Sequence, residues 1–189
     1  MTYDVKNVFY LDVDAEIAAS TAGMTSAQLD LSAYIDPIAR GRTKGTGLAI
    51  YKVHYDVSDS ATGGEAMLPS EAGVFRAGIV AGAGLGNVAT GAGSTTASQQ
   101  PSAGNALAVF GWDWYGPTSI SAKNSVGMRM TFLEPSEKVP YVVVRDNVCL
   151  VIEQRVDMSE AAYVNCRLEC AQITLDQSTL NQLLRTQTV

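Results

Sequence analysis

The sequence is poor in the residues that catalytic and metal sites use most. It has one histidine, His54, and three cysteines, and it contains neither a phosphate-binding loop nor a G-x-S-x-G nucleophile motif. Cys149, Cys166 and Cys170 each lie in a strand-like run, so we interpret them as reduced, buried side chains. Cys166 and Cys170 would stand about 13 Å apart on a strand, too far for a shared zinc site. We therefore expect a protein that is not an enzyme and has no cofactor.

Positive charge and long apolar runs are scarce as well. The chain carries 13 Lys and Arg against 19 Asp and Glu, a net charge of −6. Binding to nucleic acid depends on neutralising many phosphates, so we expect no direct nucleic-acid binding. The N-terminus has no charged segment followed by an apolar one, and no stretch has the length of a membrane span. These absences predict a chain made in a cytoplasm without a signal peptide.

What the sequence has in quantity is the alternation of apolar and polar residues that is typical of half-buried strands. In the first run Asp12, Asp14 and Glu16 alternate with apolar neighbours. A turn-compatible pair at Asp146 and Asn147 predicts a hairpin over 141–156, and a change of parity near Ile173 predicts a bulge in the last strand. The strand-like runs are 7–18, 27–33, 45–57, 73–81, 106–115, 127–133, 141–156 and 161–175.

Only the C-terminal segment has the spacing of a helix. Leu180, Leu183 and Leu184 stand at i, i+3 and i+4 in 178–186, with Asp176 or Ser178 as the N-cap. So short a helix is unstable alone, so its leucines must dock on the sheet or on a neighbouring subunit. With eight or nine strands, we predict an all-β antiparallel sandwich of the jelly-roll type with a short C-terminal helix. It forms one domain, 1–189, with a long Gly/Ala/Ser-rich loop at 82–105.

Two further patterns have a functional interpretation beside a structural one. The carboxylates of Asp12, Asp14 and Glu16 would project from one strand face about 7 Å apart. We favour a solvent-exposed acidic face, and a hard-cation site or an acid/base pair are the alternatives. Phe110, Trp112 and Trp114 share a face of another strand, where the sandwich core is favoured over a subunit interface or a ligand platform. The interface candidates are Leu180, Leu183, Leu184, Trp112 and Trp114.

In size, in the succession of strands and in acidic balance, the sequence resembles single jelly-roll viral capsid proteins. It is most similar in these respects to the small coat proteins of icosahedral viruses that contain a membrane. The resemblance implies a virion protein that assembles from many copies through strand edges, loops and the C-terminal helix. It also allows for a second coat protein and an internal viral membrane as neighbours. Residues 1–10 carry only Lys6 against Asp4, unlike the basic arms of many RNA-virus coats.

A second function remains open beside this one. The alternative is a carbohydrate- or receptor-binding β-sandwich of a fibre, spike or toxin, with the aromatic strand or the long loop as its contact surface.

Overall fold

Strands dominate the computed structural model, in which the described residues form nine strands and one helix. The structure describes residues 6–20, 23–36, 44–59, 74–81, 108–115, 128–132, 135–136, 138–156 and 161–187, without the side chains of 6–7, 59, 74, 108–115, 128–132 and 155–156. The elements are β1 (Lys6–Ile17), β2 (Gly23–Asp30), β3 (Lys44–Asp59), β4 (Val74–Ala81), β5 (Ala108–Tyr115), β6 (Met128–Phe132), β7 (Tyr141–Val143), β8 (Asn147–Val156), β9 (Ala162–Asp176) and α1 (Gln177–Thr186).

The strands pair into two antiparallel sheets with a distinctive order. The first sheet has the order β1-β9-β3-β7 and the second has the order β2-β8-β4-β5-β6. The pairs β1 with β9, β2 with β8, β3 with β7, and β4 with β5 are those of one long hairpin rolled into a sandwich. This is the jelly-roll arrangement, to which β6 adds one edge strand. The predicted fold class is confirmed by the strand order itself.

The core lies between the two sheets and follows the predicted alternation. In β1, Val13, Ala15 and Ile17 are buried, whereas Asp14 and Glu16 between them are exposed. The same cluster takes its largest side chains from strands of both sheets. They include Ile50, Phe75, Ile79, Leu150, Ile152 and Leu168.

The hairpin predicted over 141–156 is wrong. β7 pairs with β3 in the first sheet, but β8 pairs with β2 and β4 in the second, so the chain changes sheets between them. The carbonyl of Asp146 accepts a hydrogen bond of 2.6 Å from the backbone N–H of Leu31 at this crossing. Val143 before the crossing and Val148 after it are both buried in the core between the sheets. A pair of turn residues predicts a bend and does not decide which sheet follows it.

The bulge predicted in β9 is wrong too. β9 pairs with β3 without interruption from Lys44 to Ile50, and the register shift lies in β3, next to Tyr51. The apolar pattern of β9 changes because its outer face also becomes buried. There Ile173 and Leu175 are 1% and 3% exposed, in a second cluster beneath α1.

The predicted helix is confirmed as α1. Its N-cap is Asp176, whose carboxylate accepts a hydrogen bond of 2.7 Å from the N–H of Thr179. This bond holds the pKa of Asp176 below its ordinary value. Leu180 is fully buried against the first sheet, and a Cβ atom on Gly45 would lie 2.8 Å from its Cδ2. Of the two docking sites that the sequence leaves open for this leucine, the chain's own sheet is the one used.

We expect Leu180→Ala to lower the free energy of unfolding by about 2–5 kcal/mol, because it leaves a cavity between α1 and the sheet. Urea unfolding followed by circular dichroism measures the change. Gln182→Ala on the exposed side of α1 is the control, with an expected change within about 0.5 kcal/mol. Equal effects of the two substitutions would contradict the docking of α1 through Leu180.

Candidate functional site

A depression of about 900 Å³ lies on the outer face of the first sheet, where β1, β9 and β3 run side by side. Strand register arranges its polar side chains in rows. Asp12 stands opposite Arg167, which stands opposite His54. In the next row Asn165 stands opposite Asp14 on β1 and opposite Asp56 on β3. Neighbouring strands are about 4.8 Å apart, so one row spans about 10 Å. The depression is a broad surface on a sheet.

The first row contains a bidentate ion pair between Arg167 and Asp12. Arg167 Nε donates to Asp12 Oδ1 at 2.6 Å, and Nη2 lies 3.4 Å from Oδ2. This hydrogen bond raises the pKa of Arg167, and the guanidinium carbon lies 6.0 Å from the ring centroid of Tyr10. The two side chains are 60% and 61% exposed, so the pair contributes little to stability. A nearby cation thus offsets the charge of one carboxylate that the sequence singled out.

The only histidine of the sequence, His54, also has an acidic neighbour across the strands. Its Nε2 lies 3.6 Å from Glu169 Oε2, and its side chain is 46% exposed. In the following row the amide of Asn165 donates to Ser58 Oγ at 3.0 Å. Within the described ranges, no three His, Cys, Asp or Glu side chains group in a way that could hold a metal ion. The contacts in these rows are pairs between neighbouring strands.

The cysteines are buried, as the strand pattern predicts. Burial raises the pKa of the Cys149 thiol to about 11 and that of Cys170 to about 12. It raises the pKa of Cys166 further, with a smaller contribution from Cys170. Nucleophilic attack and metal ligation both require the thiolate. These thiols therefore stay protonated near neutral pH, and their contribution is to core packing.

The leucines predicted at an interface differ in burial. Leu180 is fully buried within the chain, whereas Leu183 and Leu184 are partly buried and pack against the same cluster on the sheet. The latter two keep part of their surface on the outside of α1. Their contact with a neighbouring subunit stays a prediction.

The two tryptophans lie in β5, on the second sheet. The register places Trp112 opposite Ala77 and Trp114 opposite Phe75, and both partners are buried in the inter-sheet core. The burial of both tryptophan side chains in the core stays a prediction. The side chains of both tryptophans and the loop 82–105 lie outside the described part of the structure.

Two exposed apolar side chains were missed by the sequence interpretation. Val8 and Tyr10 are 55% and 58% exposed on the outer face of β1, and Tyr10 lines the depression. The signal was present, because the alternation that exposes Asp12 also exposes the residues two and four positions before it.

Comparison with known proteins identifies no family. No protein-family model matches the sequence, and no curated protein matches it. Solved structures similar to the chain include VP1 of Trichodysplasia spinulosa-associated polyomavirus in complex with GM1 oligosaccharide, at 9% identity and a TM-score of 0.39, covering 92% of this chain and 99% of that one. Merkel cell polyomavirus VP1 in complex with disialyllactose is 8% identical with a TM-score of 0.42, and the match covers 93% of this chain and 97% of that one. The human polyomavirus 7 VP1 pentamer is 14% identical with a TM-score of 0.36, and the match covers 92% of this chain and 100% of that one.

The buried thiols predict a loss of stability at alkaline pH. Their folded-state pKa values of about 11 and 12 at Cys149 and Cys170 exceed the value of about 8.5 of an unfolded thiol. The contribution of the buried thiols to the free energy of unfolding is complete below about pH 8.5. It is lost as the pH rises towards the folded-state pKa values, because the unfolded state releases its protons first. We expect the urea midpoint to fall between pH 8.5 and 11, and less steeply in Cys170→Ala. A midpoint that stays constant to pH 11 would contradict this expectation.

Proposed function

We propose that this chain is a coat subunit of a virion, which assembles with copies of itself through surfaces of its sandwich. The jelly roll is a fold of viral capsid domains, lectins and cupins, so it restricts the function without choosing it. The choice among these depends on the surface chemistry of the described residues.

One observation carries the proposal: an apolar surface on an edge strand of the first sheet. Val8 and Tyr10 are more than half exposed on β1, which pairs with β9 on one side and with no described strand on the other. Single exposed apolar side chains are ordinary, but two on one face of an edge strand form a contact surface. A second copy that covers them would bury apolar area that the monomer leaves in water.

The polar chemistry of the described residues favours contact over catalysis. Arg167 is held by Asp12, and His54 lies beside Glu169, so two of the candidate acid and base groups, Asp12 and His54, have partners at the surface. A nucleophile needs a base within hydrogen-bond reach and a shielded site. Pairs of this kind are common on protein surfaces, where a second subunit can exchange partners with them.

The finer parts of the proposal concern what lies around the coat. The exposed carboxylates of Asp12, Asp14 and Glu16 along β1 would repel a nucleic acid rather than neutralise its phosphates. A coat of this charge fits best outside another layer, such as an internal membrane or a second coat protein. The chain would be made in the host cytoplasm and end in the virion.

We expect Val8→Ser combined with Tyr10→Ser to raise the concentration needed for assembly at least about tenfold, or about 1.4 kcal/mol per subunit added. The reason is the loss of apolar contact area between subunits. Light scattering after size-exclusion chromatography, with negative-stain microscopy, measures assembly of the purified full chain. Glu16→Gln, exposed on the same strand face, is the control for a general surface effect.

Two outcomes would contradict the coat role. One is a wild-type chain that stays monomeric at every concentration and salt tested. The other is a monomer that binds an oligosaccharide on a glycan array, with binding lost in Trp112→Ala or Trp114→Ala. That second result would favour the carbohydrate- or receptor-binding alternative.

The contribution of α1 to assembly has its own test. We expect Leu183→Asp with Leu184→Asp to weaken assembly, because the parts of both leucines that the sheet leaves uncovered would lie against a neighbour. Urea unfolding of the same variant shows how much folding is lost. Normal assembly by the folded double variant would exclude α1 as a clasp between subunits.

A further inference from the structure

Among the described strands, β7 forms the other edge of the first sheet. This strand pairs with β3 on one side, where Val143 stands opposite Leu48. In an antiparallel pair the hydrogen-bonding groups of successive residues point to opposite sides. The backbone groups of Val142 and Val144 therefore point away from β3, to the side where another strand would add.

The side chain of Gln187 occupies that position. Its Nε2 donates to the carbonyl of Val142 at 2.6 Å, and its Oε1 accepts from the N–H of Val144 at 3.1 Å. A side-chain amide has the donor and acceptor of one peptide group. Gln187 thus makes the two hydrogen bonds that the N–H and C=O of one residue in an added strand would make, and it is only 4% exposed.

Gln187 is held in place from two further directions. Its backbone N–H donates to the carbonyl of Leu183 at 3.0 Å, which ends α1, and its own carbonyl accepts from Arg145 Nε at 3.1 Å. α1 in turn is fixed on the sheet by the buried Leu180. The amide is therefore positioned by the docked helix as well as by its own hydrogen bonds to β7.

The two edges of the first sheet differ in the protection that their own side chains give. β1 exposes a row of carboxylates, Asp12, Asp14 and Glu16, and charge along an edge strand opposes strand addition. β7 is the sequence Tyr-Val-Val and carries no charge of its own. An uncharged edge with free backbone groups is the kind that pairs with another chain.

We infer that Gln187 is an edge plug that prevents a strand of a second copy of this chain from adding to β7. Removal of its amide would open the first sheet to strand addition between copies. The inference does not depend on the coat role, because it concerns an association that the chain avoids.

The test compares Gln187→Met with Gln182→Met in the full chain. Methionine has a similar length but no amide, so the first variant frees the Val142 carbonyl and the Val144 N–H, whereas the second adds the same side chain to the exposed side of α1. In Gln187→Met we expect the Val144 amide hydrogen to exchange at least about tenfold faster, with Val143 unchanged. Light scattering should show larger species, and circular dichroism additional β structure, in a buffer where wild type and Gln182→Met keep their smallest mass.

Faster exchange at Val144 without a change in mass would overturn the plug, and so would unchanged exchange. If Gln187→Met fails to fold, Gln187→Asn replaces it, since its amide is one methylene too short to reach both groups. Microscopy separates this result from the coat proposal. Irregular aggregates of the variant would support the plug even if the wild type forms no particles, and regular wild-type particles would support the coat role alone.

Discussion

The burial of the outer face of β9 along its second half is the constraint on which the rest of the structure depends. Its inner face contributes Leu168 and Cys170 to the inter-sheet core, and its outer face contributes Ile173 and Leu175 to the cluster beneath α1. A strand in a two-layered sandwich normally has one face in water. Here the outer face is apolar, so it requires a cover, and the helix that follows directly in the chain supplies it.

The position of α1 has consequences beyond stability. Because Leu180 anchors the helix over the first sheet, the end of α1 lies beside β7, and the Gln187 amide meets the free backbone groups of that strand. The close approach of helix and sheet depends on Gly45, where a side chain would collide with Leu180. One apolar contact thus sets the helix position, the closure of the β7 edge and the partial exposure of Leu183.

Local sequence patterns predicted the strands and the helix, but they did not predict which distant residues pair. The alternation around Asp12, the N-cap at Asp176 and the C-terminal helix followed from neighbouring residues, because backbone geometry sets those periods. The ion pair of Asp12 with Arg167 joins positions 155 apart, so no spacing rule finds it. The parity change at Ile173 was detected correctly but misinterpreted, because a bulge and a second buried face produce the same sequence pattern.

On the proposed role, closed edges and open side-chain surfaces belong together. A coat subunit must meet its copies in a defined geometry, and backbone pairing at an open edge would compete with that geometry. Acidic side chains on β1 and the Gln187 amide on β7 both oppose such pairing in the first sheet. The attractive surface that remains on β1 is made of side chains, Val8 and Tyr10. Contacts of that kind are directional through shape and separate when conditions change, which repeated and reversible assembly requires.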